Sequence, residues 1–99
     1  MSPERDAVAE LDEIDRVFAA LAHASRRQIL GVLKVRGGRV KAGDIARRFA
    51  CSWPTTTRHL RVLEEAGLVR VEQEGRERWY VVETRKLQRV AGGWLRTVV

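Results

Sequence analysis

Residues 52–82 read SWPTTTRHLRVLEEAGLVRVEQEGRERWYVV and carry the strongest local signals for the fold. It begins with Ser52, a good N-cap, and with Pro54, which suits a first helical turn because no amide donor is needed there. Gly67 ends the predicted helix. Two short β-rich runs then flank Gly75, a pattern that predicts a hairpin. The stretch therefore predicts a polar, basic helix followed directly by a β-hairpin.

On both sides of this stretch, apolar residues at three- and four-residue steps predict further helices. Gly37-Gly38 ends the second helix, Val40 is a short extended step, and Thr84 caps the last helix. The fold class is mostly α with a small β-hairpin (α+β), one domain over residues 1–99. Its predicted segments are a flexible lead-in (1–7), terminal helices (8–22 and 84–98), a second helix (25–34), a helix-turn-helix (42–66) and a hairpin, or wing (67–83).

The charge of the chain is unevenly distributed. The 99 residues carry a net charge of +6, but residues 1–15 hold six acidic side chains against one basic side chain. A basic body attracts polyanions, because displacing counterions from a phosphate backbone gives non-specific affinity. The same charge would also serve solubility. Charge alone therefore leaves nucleic-acid binding and solubility open as explanations.

A single cysteine, Cys51, permits no disulfide within the chain. The start, MSPERDAVAE, lacks the apolar core of a signal peptide, and no run of eighteen apolar residues occurs. We therefore expect a cytoplasmic protein with no membrane partner.

The helix-turn-helix pattern predicts binding to double-stranded DNA. The second helix of such a pair can lie in the major groove, where Thr57 can contact a base edge and Arg58 and Arg61 can bind guanine or phosphate. Arg76 and Arg78 at the wing can reach phosphates, although nearby glutamates dilute their charge. The predicted DNA contacts are Ser52, Trp53, Pro54, Thr55, Thr57, Arg58, Arg61, Arg76 and Arg78. A solvated helix face and a winged helix used for protein–protein contact are the alternatives.

The apolar stripes of the two terminal helices are too large to leave in water. Each could pack within its own subunit or across a two-fold axis, and the arms at both ends favour a homodimer. The predicted dimer-interface residues are Leu11, Ile14, Phe18, Leu87, Val90, Ala91, Trp94 and Leu95. Trp53 is unusual at the start of a DNA-reading helix; we expect it near DNA, with packing against Phe49 as the alternative.

Several motifs together resemble the ArsR/SmtB winged-helix repressors. They are Ala19-Ala20-Leu21-Ala22, Arg26-Arg27-Gln28-Ile29-Leu30, Asp44-Ile45-Ala46, Ser52-x-x-Thr55, Thr57-Arg58-His59-Leu60, Val62-Leu63-Glu64-Glu65-Ala66-Gly67-Leu68-Val69 and Glu74-Gly75-Arg76. The resemblance covers about residues 16–83. It implies a transcriptional repressor, a homodimer formed by the first and last helices, an imperfect palindromic operator and release by an inducer.

The resemblance does not extend to metal ligands. Where many family members have a cysteine pair in the third helix, residues 41–45 read KAGDI, so that site lacks both thiolates. A second family site uses Asp, His and Glu on the last helix, and residues 84–99 contain none of these. His59 stands where the family often has a histidine with a structural hydrogen bond, and His23 where it often has a capping Asp. We expect no metal site and no cofactor.

The residues also bear on three further points of function: catalysis, a redox switch and an inducer. An enzyme would need a converging nucleophile, base or metal set, and Ser52, His59 and Asp44 show no such convergence, so we expect no catalysis. Cys51, in the turn before the basic helix, is the alternative switch of a redox-responsive repressor, although a lone thiol is often a small buried filler. An unidentified small-molecule inducer and a repressor without an inducer both fit these residues.

Overall fold

The computed structural model describes the backbone of residues 3–49 and 52–99, and the side chains within those ranges from residue 6 onward. The helices and strands follow the predicted order. They are α1 (Pro3–Leu21), α2 (Ala24–Val35), β1 (Arg39–Lys41), α3 (Ala42–Arg48), α4 (Trp53–Glu65), β2 (Val69–Glu74), β3 (Glu77–Val82), α5 (Thr84–Leu87), a π-helical turn (Gln88–Gly92) and α6 (Gly93–Val98). We call residues 84–98 the C-terminal helix.

The hairpin is part of a three-stranded antiparallel sheet of order β1-β3-β2. Gly75 has a φ of 61°, the left-handed conformation that the turn between β2 and β3 requires. Val40 of β1 lies opposite Tyr80 of β3, and both are buried. The sequence predicts β1 only as an extended step, because its pairing with β3 joins residues about forty positions apart.

The core lies between α1, α2, α3, α4 and the inner face of the sheet. Leu60 and Leu63 of α4 are almost fully buried there, as the apolar spacing of this helix predicts. Burying an aliphatic side chain of this size contributes about 1.5–3 kcal/mol. The largest of the fully buried side chains are Val17, Ile29, Leu33, Thr56, Leu60, Leu63, Leu68 and Val69, together with Ile45 of α3. The core thus fixes the orientation of α4 and α3.

α4 ends at Glu65, and Gly67, the residue predicted to end this helix, follows two positions later with a φ of 76°. The amide of Leu68 donates to the carbonyl of Leu63 at 2.9 Å, and the amide of Gly67 donates to that of Glu64 at 2.9 Å. These bonds satisfy carbonyls at the helix end and turn the chain into β2. The basic helix and the wing are therefore joined by a rigid corner.

Both terminal helices differ from the prediction at their starts. α1 begins at Pro3, so residues 3–7, which the sequence analysis assigns to a flexible lead-in, are helical. Thr84 is the first residue of the C-terminal helix and not its cap. The N-cap position is Glu83, whose amide donates to the carbonyl of Leu68 at 2.8 Å and whose carboxylate is bound by Arg70. Residue 83 is therefore held at the end of the sheet.

Glu13 joins α1 to the C-terminal helix. Its carboxylate accepts hydrogen bonds from Lys86 at 2.6 Å and from Arg89 at 2.9 Å. The hydrogen bonds from Arg89 and then Lys86 lower the pKa of Glu13 from its ordinary 4.5 to about 2. Among the described helices, none is long and apolar enough to cross a membrane.

Glu13→Gln should reduce the free energy of unfolding at pH 6 by about 1 kcal/mol or less, because the ion pairs are partly exposed and screened. Above pH 4.5 the carboxylate is ionised in both states, so its stabilisation is complete. As the pH falls from 4.5 towards 2, the unfolded chain binds the proton first and the stabilisation is lost. Urea denaturation of both proteins at several pH values measures this, and a pH-independent difference would contradict it.

Candidate nucleic-acid interface

The start of α4 is built by Ser52. Its hydroxyl oxygen accepts from the amide of Thr55 at 3.4 Å and donates to the Thr55 hydroxyl at 3.0 Å, while Pro54 occupies the first turn. The hydroxyl of Thr56 donates to the Ser52 carbonyl at 3.1 Å. These bonds confirm the predicted cap and fix where the exposed first turn of α4 begins.

Ser52→Ala should lower the free energy of unfolding by about 1 kcal/mol, because it removes the acceptor for the Thr55 amide. Thermal and urea denaturation measure the change. Gln28→Ala, which removes an exposed polar side chain of α2, serves as the control and should change stability by less than about 0.5 kcal/mol. Equal stability of Ser52→Ala and the wild type would show that the cap does not hold the helix.

α4 divides into a buried and an exposed face. Thr56, Leu60 and Leu63 lie in the core, and Arg58 and Arg61 are exposed on the other side. Within the described part of the chain, neither arginine makes an ion pair. Both guanidinium groups are therefore free to bind phosphate oxygens or the guanine edge.

Trp53, Pro54 and Thr55 form the first turn of α4, ahead of these arginines. Trp53 is 43% exposed, an unusual position for so large an apolar ring, and Pro54 is exposed as well. Thr55 is half-buried and its hydroxyl is held by Ser52. The structure thus places an aromatic ring and two cations on the open side of one helix.

Thr57 differs from the sequence prediction. Its side chain is half-buried, and its hydroxyl oxygen is buried with no hydrogen-bond partner among the described residues. One residue corresponds to about 100° around a helix, so Thr57 lies at the border between buried Thr56 and exposed Arg58. In this conformation it does not present its hydroxyl on the same open face as Arg58.

Arg26 of α2 anchors α4 to the end of α1. Its guanidinium donates to the carbonyls of Ala20 at 2.6 Å and Ala19 at 3.0 Å, and Nη1 lies 3.2 Å from Nδ1 of His59. Burial, followed by the nearby charges of His23 and Arg26, lowers the pKa of His59. A neutral imidazole can accept from the guanidinium. The predicted structural hydrogen bond of His59 is present, whereas the sequence analysis missed its partner Arg26.

His23 caps α2, as the resemblance implies for the residue at this position. Its Nδ1 accepts from the amide of Ser25 at 3.2 Å, and its ring centroid lies 4.4 Å from that of His59. Among the described side chains, those of residues 6–49 and 52–99, no three His, Cys, Asp or Glu converge as metal ligands. Cys51, the candidate redox switch, lies outside the described residues.

The acidic side chains of the wing are held by β1. Arg39 binds Glu72 at 3.2 Å and Glu74 at 2.8 Å, and Lys41 binds Glu77 at 3.1 Å. Arg39 also lies over the ring of Trp79, 3.8 Å from its centroid. From the sequence alone, these glutamates are expected to dilute the charge of the wing. In the structure the cations of β1 neutralise these glutamates. The sequence does not predict this role, because β1 pairs with a strand that is distant in sequence.

Arg76 and Arg78 are exposed at the tip of the wing and make no ion pair among the described residues. Arg78 lies 5.6 Å from the ring of Tyr80, which supports its position on β3. Together with Lys41 and Arg47 they line a cleft of about 340 Å³ between the wing and α3. Arg47 is paired with Asp44, so the two wing arginines are the uncompensated cations of this cleft.

The predicted dimer-interface residues separate into two groups. Val90 is 5% exposed and packs in the core of its own chain, so its assignment to a dimer interface is wrong for the described chain. Ile14 and Leu87 also pack against that core, Ala91 is half-buried, and Phe18 makes an edge contact with Trp94 at 5.2 Å. An amphipathic stripe does not reveal which partner covers it, and here α1 covers Val90.

The second group remains exposed. Leu11, Trp94 and Leu95 are 59%, 41% and 51% exposed, and Val8 and Val98, absent from the predicted set, are each 57% exposed. Leu11 and Trp94 line a groove of about 530 Å³ between α1 and the C-terminal helix. We call Val8, Leu11, Trp94, Leu95 and Val98 the exposed apolar face. Large apolar side chains clustered in this way are typical of an interaction surface.

Comparisons with known proteins agree with this architecture. A model of a helix-turn-helix domain matches residues 21–72. The transcriptional repressor SdpR of Bacillus subtilis is 37% identical over 75 residues, which are 76% of this chain and 81% of SdpR. The helix-turn-helix model covers α2, β1, α3, α4 and the first residues of β2.

Solved structures share the whole fold. An ArsR-like transcriptional regulator from Rhodococcus sp. RHA1 is 30% identical with a TM-score of 0.68, and the match covers 89% of this chain and 88% of that one. A homodimeric winged helix-turn-helix DNA-binding domain from Mycobacterium bovis is 28% identical with a TM-score of 0.75, covering 98% and 87%. The capped basic helix, the wing and these relatives lead to one conclusion: the chain belongs to the ArsR/SmtB-type winged helix-turn-helix transcriptional regulators.

Proposed function

We propose that this chain is a transcriptional repressor that binds a palindromic DNA operator as a homodimer. The observation that carries the proposal is the exposed face of α4, on which Arg58 and Arg61 have no ion-pair partner among the described residues. α4 is held by a rigid core, so its arginines are preorganised for a groove of fixed shape. Arg76 and Arg78, at the tip of the wing, supply two further cations that can bind DNA phosphates.

The homodimer is supported by the exposed apolar face, which a second copy would cover. The relative from Mycobacterium bovis is a homodimeric domain of the same fold. A two-fold protein dimer presents two copies of α4, so its preferred DNA is an inverted repeat with half-sites about one helical turn apart. Repression, as opposed to activation, is proposed because the relative SdpR is a transcriptional repressor.

We further propose that this repressor does not sense a metal at the third-helix position that the family uses. Residues 41–45 form the end of β1 and the first turn of α3, and they supply a single carboxylate, Asp44, which Arg47 already binds. Transition metals prefer thiolate or imidazole ligands, which this segment lacks. Zn²⁺ or As(III) added to the protein–DNA complex should therefore leave the DNA affinity unchanged.

Selection of bound duplexes from a random library tests the proposal. We expect enrichment of an inverted repeat and a complex whose mass corresponds to two protomers per site. The double variant Arg58→Ala/Arg61→Ala, checked for folding by its circular dichroism spectrum, is the control. It separates sequence-specific contacts of α4 from the non-specific attraction of a basic protein to DNA. The absence of any enriched sequence would contradict the proposal and favour a protein–protein module.

A further inference from the structure

The two terminal helices carry opposite charges. Residues 1–15 hold six acidic side chains and one basic side chain. Residues 84–98 hold four basic side chains, Arg85, Lys86, Arg89 and Arg96, and no acidic side chain. Within one chain, Glu13 takes up Lys86 and Arg89. Among the described side chains of one protomer, the other acidic residues of α1 therefore make no ion pair with the C-terminal helix.

The unused cations lie together on the C-terminal helix. Arg85 and Arg96 are exposed and have no ion-pair partner in the described part of the chain. With Lys86, Gln88 and Arg89 they line a groove of about 730 Å³, which we call the basic groove. The guanidinium of Arg96 lies back along the helix close to Gly92, where an added Cβ would stand 3.4 Å from its Nη1.

The unused acids of α1 share a face with exposed apolar residues. Val8, Leu11, Asp12 and Asp15 stand at positions i, i+3, i+4 and i+7, which lie on one side of a helix. All four are exposed, and neither aspartate makes an ion pair among the described side chains. On the C-terminal helix, Leu95 is exposed next to Arg96, whereas Val98, two positions further along, lies on another side of the helix.

We propose that Asp12 and Asp15 of one protomer pair with the basic groove of a second copy, and that this charge complementarity selects the homodimer over other pairings. The inference rests on the proposed homodimer and adds what determines partner choice. In a two-fold assembly the contact occurs twice, so each ion-pair set contributes to the same interface two times. Opposed like charges across such a contact reject unmatched partners.

A charge swap tests this inference in the full-length protein. Asp12→Lys/Asp15→Lys and Arg85→Glu/Arg96→Glu should each weaken self-association about tenfold or more, because like charges then face each other in both contacts. Mixed in equal amounts, the two variants should form a heterodimer in preference to either homodimer, since both of its contacts regain opposite charges. Native mass spectrometry and sedimentation resolve the species, and circular dichroism checks that each variant is folded.

The outcomes separate this inference from the proposed homodimer. A wild-type protein that is monomeric at all concentrations overturns both. A dimeric wild type whose swapped variants self-associate normally, or pair at random in the mixture, overturns this inference alone. The basic groove would then be open to an anionic ligand or nucleic acid, which titration with inorganic pyrophosphate and duplex DNA would detect.

Discussion

Arg58→Ala/Arg61→Ala is expected to weaken binding to the selected duplex by about two orders of magnitude or more. Both side chains are exposed on α4, while the same helix buries Leu60 and Leu63, so the substitution removes DNA contacts without disturbing the core. A well-formed contact between a side chain and a base edge contributes about 1–3 kcal/mol of discrimination. Loss of two such contacts should therefore dominate the effect.

Fluorescence anisotropy with the selected duplex and with a scrambled duplex measures this change. Each single substitution should cost about tenfold, and affinity for the selected duplex should approach that for the scrambled one. Lys34→Ala, which removes one exposed positive charge from α2, is the matched control and should have a much smaller effect. If Lys34→Ala and Arg58→Ala weaken binding equally, α4 contributes only non-specific electrostatic attraction to DNA.

Leu63→Ala should give the largest loss of stability, about 2–5 kcal/mol. Leu63 is completely buried between α4 and the rest of the core, so truncation removes packing atoms and leaves a cavity. A domain of this size is stable by only about 5–15 kcal/mol, so the variant should be close to its unfolding threshold. DNA binding should fall with the folded fraction.

Urea denaturation of the purified variants checks this expectation. Val35→Ala removes the same class of side chain at the end of α2, where it is 86% exposed, and should change stability by less than about 0.5 kcal/mol. A Leu63→Ala protein as stable as the Val35→Ala protein would contradict the position of α4 in the core.

Local signals predicted much of this structure. Ser52 and Gly67 mark the ends of α4 because caps act through bonds between residues that are close in sequence. The spacing of Leu60 and Leu63 identified the buried face, and Arg58 and Arg61 were predicted on the opposite face. Helix periodicity fixes such faces to within about one residue, which is why Thr57, at their border, was misplaced.

Non-local contacts were not predictable in the same way. The pairing of β1 with β3 brings Arg39 and Lys41 to the wing glutamates, and no short-range pattern encodes that contact. Arg26 was likewise predicted only as part of a motif, although it joins α2 to His59 across thirty-three positions. Val90 belongs to a genuine apolar stripe, but the sequence does not state whether the same chain or a second copy covers it.

The most direct test of DNA binding by α4 and the wing is the dependence of DNA affinity on salt concentration. Binding of the wild-type protein to the selected duplex should weaken steeply with rising salt, with a log–log slope of about −0.9 for each phosphate neutralised. At any one salt concentration, Arg58→Ala/Arg61→Ala should bring the affinities for the selected and scrambled duplexes close together. Binding that is absent at low salt, or that does not change with salt, would contradict the assignment of α4 and the wing as a DNA-binding surface.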